Sequence, residues 1–201
     1  MKDWIFEGNI ERWDEGIPLG NGRLGTLVWG SPEKLILSLD RGDLWDTTPC
    51  PLVHRDEFTY ANMVRLAREG KEEEIRRIFD TPYYELTPTK LPAGRIVLKL
   101  GEEKGMKGRL SLKRAEVALA IGGVRLQCFL HAGEEAGLCR ISLPMEKLLI
   151  SAEPPKVTQT LLGYPDPEQG EQVFERQRRL WFVQRAGKDF AYGVFLLLFS
   201  K

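Results

Sequence analysis

Apolar and polar residues alternate along much of this chain, and the alternation is sharpest between Leu110 and Leu130. Leu110, Leu112, Ala115, Val117, Leu119 and Ile121 come close to a two-residue period, Gly122-Gly123 interrupts it, and Val124, Leu126, Cys128 and Leu130 resume it. A period of two puts successive side chains on opposite faces of a strand, so this stretch predicts a long hairpin with one apolar face. Shorter apolar runs bounded by Gly, Ser and Pro predict strands at Arg23–Trp29 and Leu35–Leu39. From Arg95 onward the strand candidates follow one another: Arg95–Leu100, Arg109–Ile121, Val124–His131, Leu138–Leu143, Lys147–Ala152, Val157–Leu161, Gln172–Glu175, Leu180–Arg185 and Tyr192–Phe199. A recurrence every 8 to 12 residues or so is the rhythm of a sandwich of antiparallel strands.

One region has the helical period instead. Met63, Val64, Leu66 and Ala67 recur at helical spacing after Thr59, Gly70 offers a left-handed cap, and Ile75, Ile78 and Phe79 restart the pattern before Thr81-Pro82 ends it. Two short helices are therefore expected near residues 59–80. The acids of Lys71-Glu72-Glu73-Glu74 precede Arg76-Arg77, which suits the helix dipole and reads as a solvated face. The Pro-rich return to the sheets carries Tyr83-Tyr84, an aromatic pair expected to cover a sheet edge, with stacking on sugars as the alternative. The fold class that results is mostly β, an antiparallel super-sandwich with two short helices, in a single domain spanning residues 1–201.

Composition narrows the function classes. Lys plus Arg and Asp plus Glu both number 29, so no global field attracts nucleic acid or an anionic membrane. The apolar Phe195–Phe199 run is too short to cross a bilayer, and Met1–Gly8 has no signal-like apolar stretch, which leads to a cytoplasmic expectation. Cys50, Cys128 and Cys139 form no CxxC, and Cys128 and Cys139 read as small buried hydrophobes. His54 and His131 stand alone, so neither a metal site nor a cofactor is expected.

The most distinctive stretch is Trp13-Asp14-Glu15-Gly16-Ile17-Pro18-Leu19-Gly20-Asn21-Gly22-Arg23-Leu24-Gly25-Thr26-Leu27-Val28-Trp29-Gly30, with five glycines in fifteen residues. Gly20, Gly22 and Gly25 match GxGxxG by letter, but a strand rather than a helix follows them, so a dinucleotide site is excluded. The stretch resembles the N-terminal signature of family 95 glycoside hydrolases, α-L-fucosidase-like enzymes, and is also similar to the N-terminal domain of family 65. Leu37-Ser38-Leu39-Asp40-Arg41-Gly42-Asp43-Leu44-Trp45 falls where the family carries "L-N-E-D-T-L-W". Met63–Lys71 and the Leu110–Ala132 hairpin continue the resemblance in order, and Ser38 and Leu39-Asp40 depart from it.

The resemblance implies an N-terminal β super-sandwich that supports a catalytic (α/α)6 barrel, with the barrel absent from this chain and no catalytic residue in it. Asp14, Glu15, Asp40, Asp43 and Asp46 could form an acid pair in principle, but turn formation and pairing with Arg23 or Arg41 is their simpler role. Asn21, Arg23, Asp43 and Trp45 combine planar hydrogen-bonding groups with an aromatic face. They are candidates either for sugar hydroxyls or for holding the glycine loop and docking the barrel. The partners expected are the missing barrel or a partner chain, an oligosaccharide, or a second copy, with no nucleic acid and no membrane. A stand-alone carbohydrate-binding module, built on Trp13, Trp29, Trp45, Tyr83 and Tyr84, or a structural interaction module is the alternative.

Overall fold

The computed structural model describes residues 2–102, 105–156, 162–174, 176–186 and 190–199. Its strands are β1 (Trp4–Glu7), β2 (Ile17–Gly20), β3 (Leu24–Ser31), β4 (Lys34–Arg41), β5 (Trp45–Asp46), β6 (Thr89–Lys90), β7 (Gly94–Lys99), β8 (Lys107–Ser111), β9 (Glu116–Ile121), β10 (Val124–Leu130), β11 (Gly137–Ile141), β12 (Leu149–Glu153), β13 (Glu168–Phe174), β14 (Gln177–Ala186) and β15 (Phe190–Phe199). All the pairings are antiparallel. Two five-stranded sheets run in the orders β1-β8-β9-β10-β11 and β12-β7-β4-β3-β2, and a three-stranded sheet β13-β14-β15 accompanies them.

Alternation explains how the two large sheets meet. Met106, Leu110, Val117, Leu119, Ile121, Leu126 and Cys128 face inward from the first, and Ile17, Leu19, Val28, Leu35, Leu37 and Leu98 from the second, in one continuous core. The intervening positions on β9 and β10, such as Ala120, Arg125 and Gln127, face solvent. In the smaller sheet Leu180, Phe182, Gln184 and Ala186 are buried, the Phe182 ring lies against Gly94 at the start of β7, and Leu198 joins the main core.

The expected hairpin turn at Gly122-Gly123 is present: Ile121 pairs with Val124, and Gly122 takes φ +53°. The single strand expected over Arg109–Ile121 is corrected to two. Ser111 pairs with Glu116, Arg114 N–H donates back to Ser111, Ala115 lies at φ +50° and Leu112 is exposed. Two adjacent cations, Lys113-Arg114, sit in that turn, and the near-alternation of Leu112 and Ala115 across it is fortuitous. The strand expected at Val157–Leu161 lies outside the described residues.

Helix α1 spans Tyr60–Arg68 and α2 spans Glu72–Ile75. Thr59 caps α1 by accepting from Asn62 N–H at 3.2 Å, and Gly70 at φ +70° ends it. The second helix widens into a π-turn over Arg76–Asp80. Leu66, Ile78 and Phe79 form a small separate core there. Tyr83 and Tyr84 are 86% and 84% exposed, which corrects the expectation that they cover a sheet edge. Cys128 is buried as expected, but it lies directly opposite Cys139 across β10 and β11 and is bonded to it, so the pair is a cross-link rather than two inert thiols. Among the described residues no helix is long and apolar enough to cross a membrane.

Candidate functional site

The glycine-rich signature builds a turn at one end of the sandwich. Gly22 at φ +90° lets the chain reverse between β2 and β3, and Asn21 N–H donates to Leu24 O at 3.1 Å. The Asn21 carboxamide then works in both directions. Its Oδ1 accepts from Arg23 N–H at 3.0 Å and Leu24 N–H at 2.8 Å, while Nδ2 donates to His131 O at 2.8 Å and Glu134 O at 2.9 Å. Both donors and both lone pairs are therefore used within the chain, and one side chain ties the β2–β3 turn to the loop between β10 and β11.

The loop after β4 lies beside this turn, since Leu24 pairs with Arg41 and Gly42 N–H donates to Arg23 O at 2.7 Å. Arg41 holds Asp43 in a fork, Nε to Oδ1 at 2.6 Å and Nη2 to Oδ2 at 3.0 Å, and its Nη1 meets Glu135 at 2.8 Å. That fork holds the Asp43 carboxyl below the ordinary range and raises the guanidinium. Trp45 Nε1 donates to Gly42 O at 3.1 Å, which leaves the ring 45% exposed. Lys90 binds Asp40 and the carbonyl of Arg41.

The four candidate residues are thus brought to one end of the fold, in different roles. Asn21 is saturated within the chain, Asp43 is paired with Arg41 yet exposed, and Arg23 and the Trp45 ring also reach solvent. The expected pairing of Asp43 with Arg41 is present, whereas sequence reading missed Glu135 and the backbone of 131–134, because their part depends on loops about 110 residues apart meeting. It also missed the role of Asp46. This carboxyl is 4% exposed, which by itself would raise its proton affinity, but the Tyr164 hydroxyl and Thr48 N–H (2.8 Å) both donate to it and hold it below the ordinary range. Next to it Tyr192, whose hydroxyl donates to Pro92 O, and the buried Leu44, Leu91 and Ala186 close a second small core.

Chemically this arrangement can bind but is poorly suited to protonate. A glycosidic leaving group needs a carboxylic acid whose proton affinity is raised, and Asp43, Asp46 and Glu69 are all shifted the other way. Among the described residues no group of His, Cys, Asp and Glu is placed to hold a metal ion.

Alpha-L-fucosidase 2 of Arabidopsis thaliana is 39% identical over 44 residues, which is 22% of this chain and 5% of that protein's length. A family profile described as glycosyl hydrolase family 65, N-terminal domain, matches residues 6–118, from β1 through the signature turn and both helices into β9. With more than half of its length in that match, the chain belongs to the family of glycosyl hydrolase family 65 N-terminal domains.

Proposed function

We propose that this chain is a noncatalytic unit of a modular glycoside hydrolase, which supports a catalytic (α/α)6 barrel and lends surface to sugar binding. One observation carries the reading. The outer edge strand β15 carries an apolar row, with Phe195 and Phe199 at 73% and 72% exposure and Leu197 at 51%; Trp181 of β14 pairs with Phe195, while Gln177 and Arg179 border the row opposite Phe199 and Leu197. An aromatic side chain has roughly 150–250 Å² to bury, so this row falls within the roughly 300–600 Å² of the largest, often functional, patch on a lone protein. The occupant proposed for it is a further domain of the same hydrolase. The related fucosidase supports that choice, because 44 aligned residues amount to only 5% of it and it carries far more chain than this fold.

Two measurements test the reading. Purified chain is expected to show no turnover of aryl α-L-fucosides or α-L-galactosides, and enzyme-like turnover would refute the noncatalytic role. Light scattering should show concentration-dependent association that Phe195→Lys with Phe199→Lys abolishes; a monomer at all concentrations that binds no hydrophobic dye would refute the docking role.

A stand-alone carbohydrate-binding module is the second reading, favoured by the exposed rings of Trp45, Tyr83 and Tyr84. Cytoplasmic residence is the expectation from sequence, and the Cys128–Cys139 cross-link weighs against it. Thiol labelling in cells tests it: reduced Cys128 and Cys139 support it, and an oxidised pair points to an oxidising compartment.

A further inference from the structure

A cleft of about 400 Å³ opens at the other end of β3, lined by Glu11, Arg12, Trp13, Asp14 and Trp29. Trp29 lies five residues beyond Leu24, so the cleft sits about 17 Å along the strand from the Asn21 turn. It is a shallow depression open to solvent, with Glu11, Arg12, Trp13 and Asp14 all exposed around the half-buried Trp29.

The cleft is held in shape by its own backbone. Ile10 and Gly30 exchange both backbone hydrogen bonds, at 3.0 and 2.8 Å, which pins the 11–16 segment to β3. Gly30 must be glycine, since at φ +107° a Cβ would lie 2.2 Å from Lys34 O. Gly16 allows the Trp13 turn to lie close, because a Cβ there would sit 2.9 Å from Trp13 O and 3.1 Å from Leu27 Cβ.

The lining chemistry is specific. Trp29, packed on the main core, gives its indole N–H to Ser38 Oγ at 2.9 Å, which takes its one polar atom out of play, and Trp13, 64% exposed, lines the cleft with it. Arg12 and Asp14 are locked in a bidentate pair, Nε to Oδ1 at 3.0 Å with a second bond from Nη2. That pair still offers three guanidinium N–H groups and the outer lone pairs of the carboxylate. Aromatic faces beside a fixed row of donors and acceptors match the apolar face and vicinal hydroxyls of a pyranose. The acids Glu11 and Asp14 outnumber Arg12, so the local charge is negative and opposes an anionic ligand.

We infer that this cleft is a binding site for a neutral oligosaccharide, with Trp13 as the stacking platform and Arg12, Asp14 and Glu11 as the hydroxyl contacts. The inference rests on the sugar-binding part of the proposed function and places it away from Arg23 and Trp45. Titration calorimetry of the whole chain against fucosyllactose, cellotriose and xylotriose, with trigalacturonate as the anionic control, tests it. Saturable binding of a neutral probe is expected, weakened at least tenfold by Trp13→Ala at an unchanged melting temperature, with no binding of trigalacturonate. Unchanged affinity in Trp13→Ala, with binding lost in Trp45→Ala instead, would overturn the cleft and leave sugar binding standing. Silence of all three neutral probes would overturn the cleft and the sugar-binding role together, while the docking role would still be judged by association of the apolar face.

Discussion

Replacing Gly94 with alanine tests how the three-stranded sheet is seated on the sandwich. Gly94 opens β7 at φ +99°, a conformation that side-chain-bearing residues rarely adopt, and holding alanine there costs about 1–3 kcal/mol. The new Cβ would also lie 2.7 Å from Glu153 O and 2.7 Å from Phe182 Cζ. One obstacle is backbone of the neighbouring strand β12 and the other is a fully buried ring that meets Tyr192 edge-on, so neither yields freely. Overpacking of this kind adds about 1–3 kcal/mol, and the lower entropy of the unfolded alanine chain offsets at most about 1 kcal/mol. A net loss of about 1–5 kcal/mol follows, or roughly 2–20 °C in melting temperature for a domain of this size. Urea unfolding followed by tryptophan fluorescence measures it. Phe182→Leu in the same chain separates the two causes, since it relieves the ring contact but not the backbone conformation, so partial rescue is expected. A Gly94→Ala variant within 0.5 kcal/mol of the parent would refute the seating argument.

Three further outcomes follow from the hydrogen bonds and the cross-link. Asp46 has its folded pKa lowered, so its ionised form stabilises the fold above the unfolded value near 4, and that contribution is lost as pH falls through the folded pKa. Asp46→Asn should therefore flatten the acid limb of a stability–pH curve below about pH 4, and parallel curves for the two proteins would contradict the assignment. Asn21→Ala removes four hydrogen bonds at once and should cost about 1–3 kcal/mol, with hydrogen exchange rising in residues 131–135; unaltered exchange there would show that the carboxamide is not the tie. Cys139→Ser, or reduction of the parent, opens a loop with a sequence separation of 11 and should cost about 3 kcal/mol, read as a matched fall in melting temperature with and without reductant.

What could be read from the sequence depended on how local the cause is. Strand β10 was legible because alternation is written into adjacent residues, β4 because its apolar run is bounded by turn residues, and the Gly122-Gly123 turn because a two-residue connection demands it. The break at Lys113–Ala115 was hidden, because a pattern that continues in phase looks like one strand until Ala115 adopts positive φ. The short β5–β6 pair could not be seen at all, since Trp45 and Lys90 are brought together by everything between them.

The same distinction separates the two ends of β3. Asn21, with its Gly-rich surroundings, looks functional because its residue types are unusual, yet its amide is saturated by His131 and Glu134, partners that no local pattern reveals. Trp13 and Trp29 were legible only as two rings of a carbohydrate-binding alternative, because what joins them is the backbone exchange between Ile10 and Gly30 that brings Glu11–Asp14 beside Trp29. A polar side chain is available to a ligand only when the fold leaves its bonding capacity open. By that criterion the Asn21 turn stiffens the domain, while Glu11–Asp14 at the start of the signature retain open donors, acceptors and ring faces.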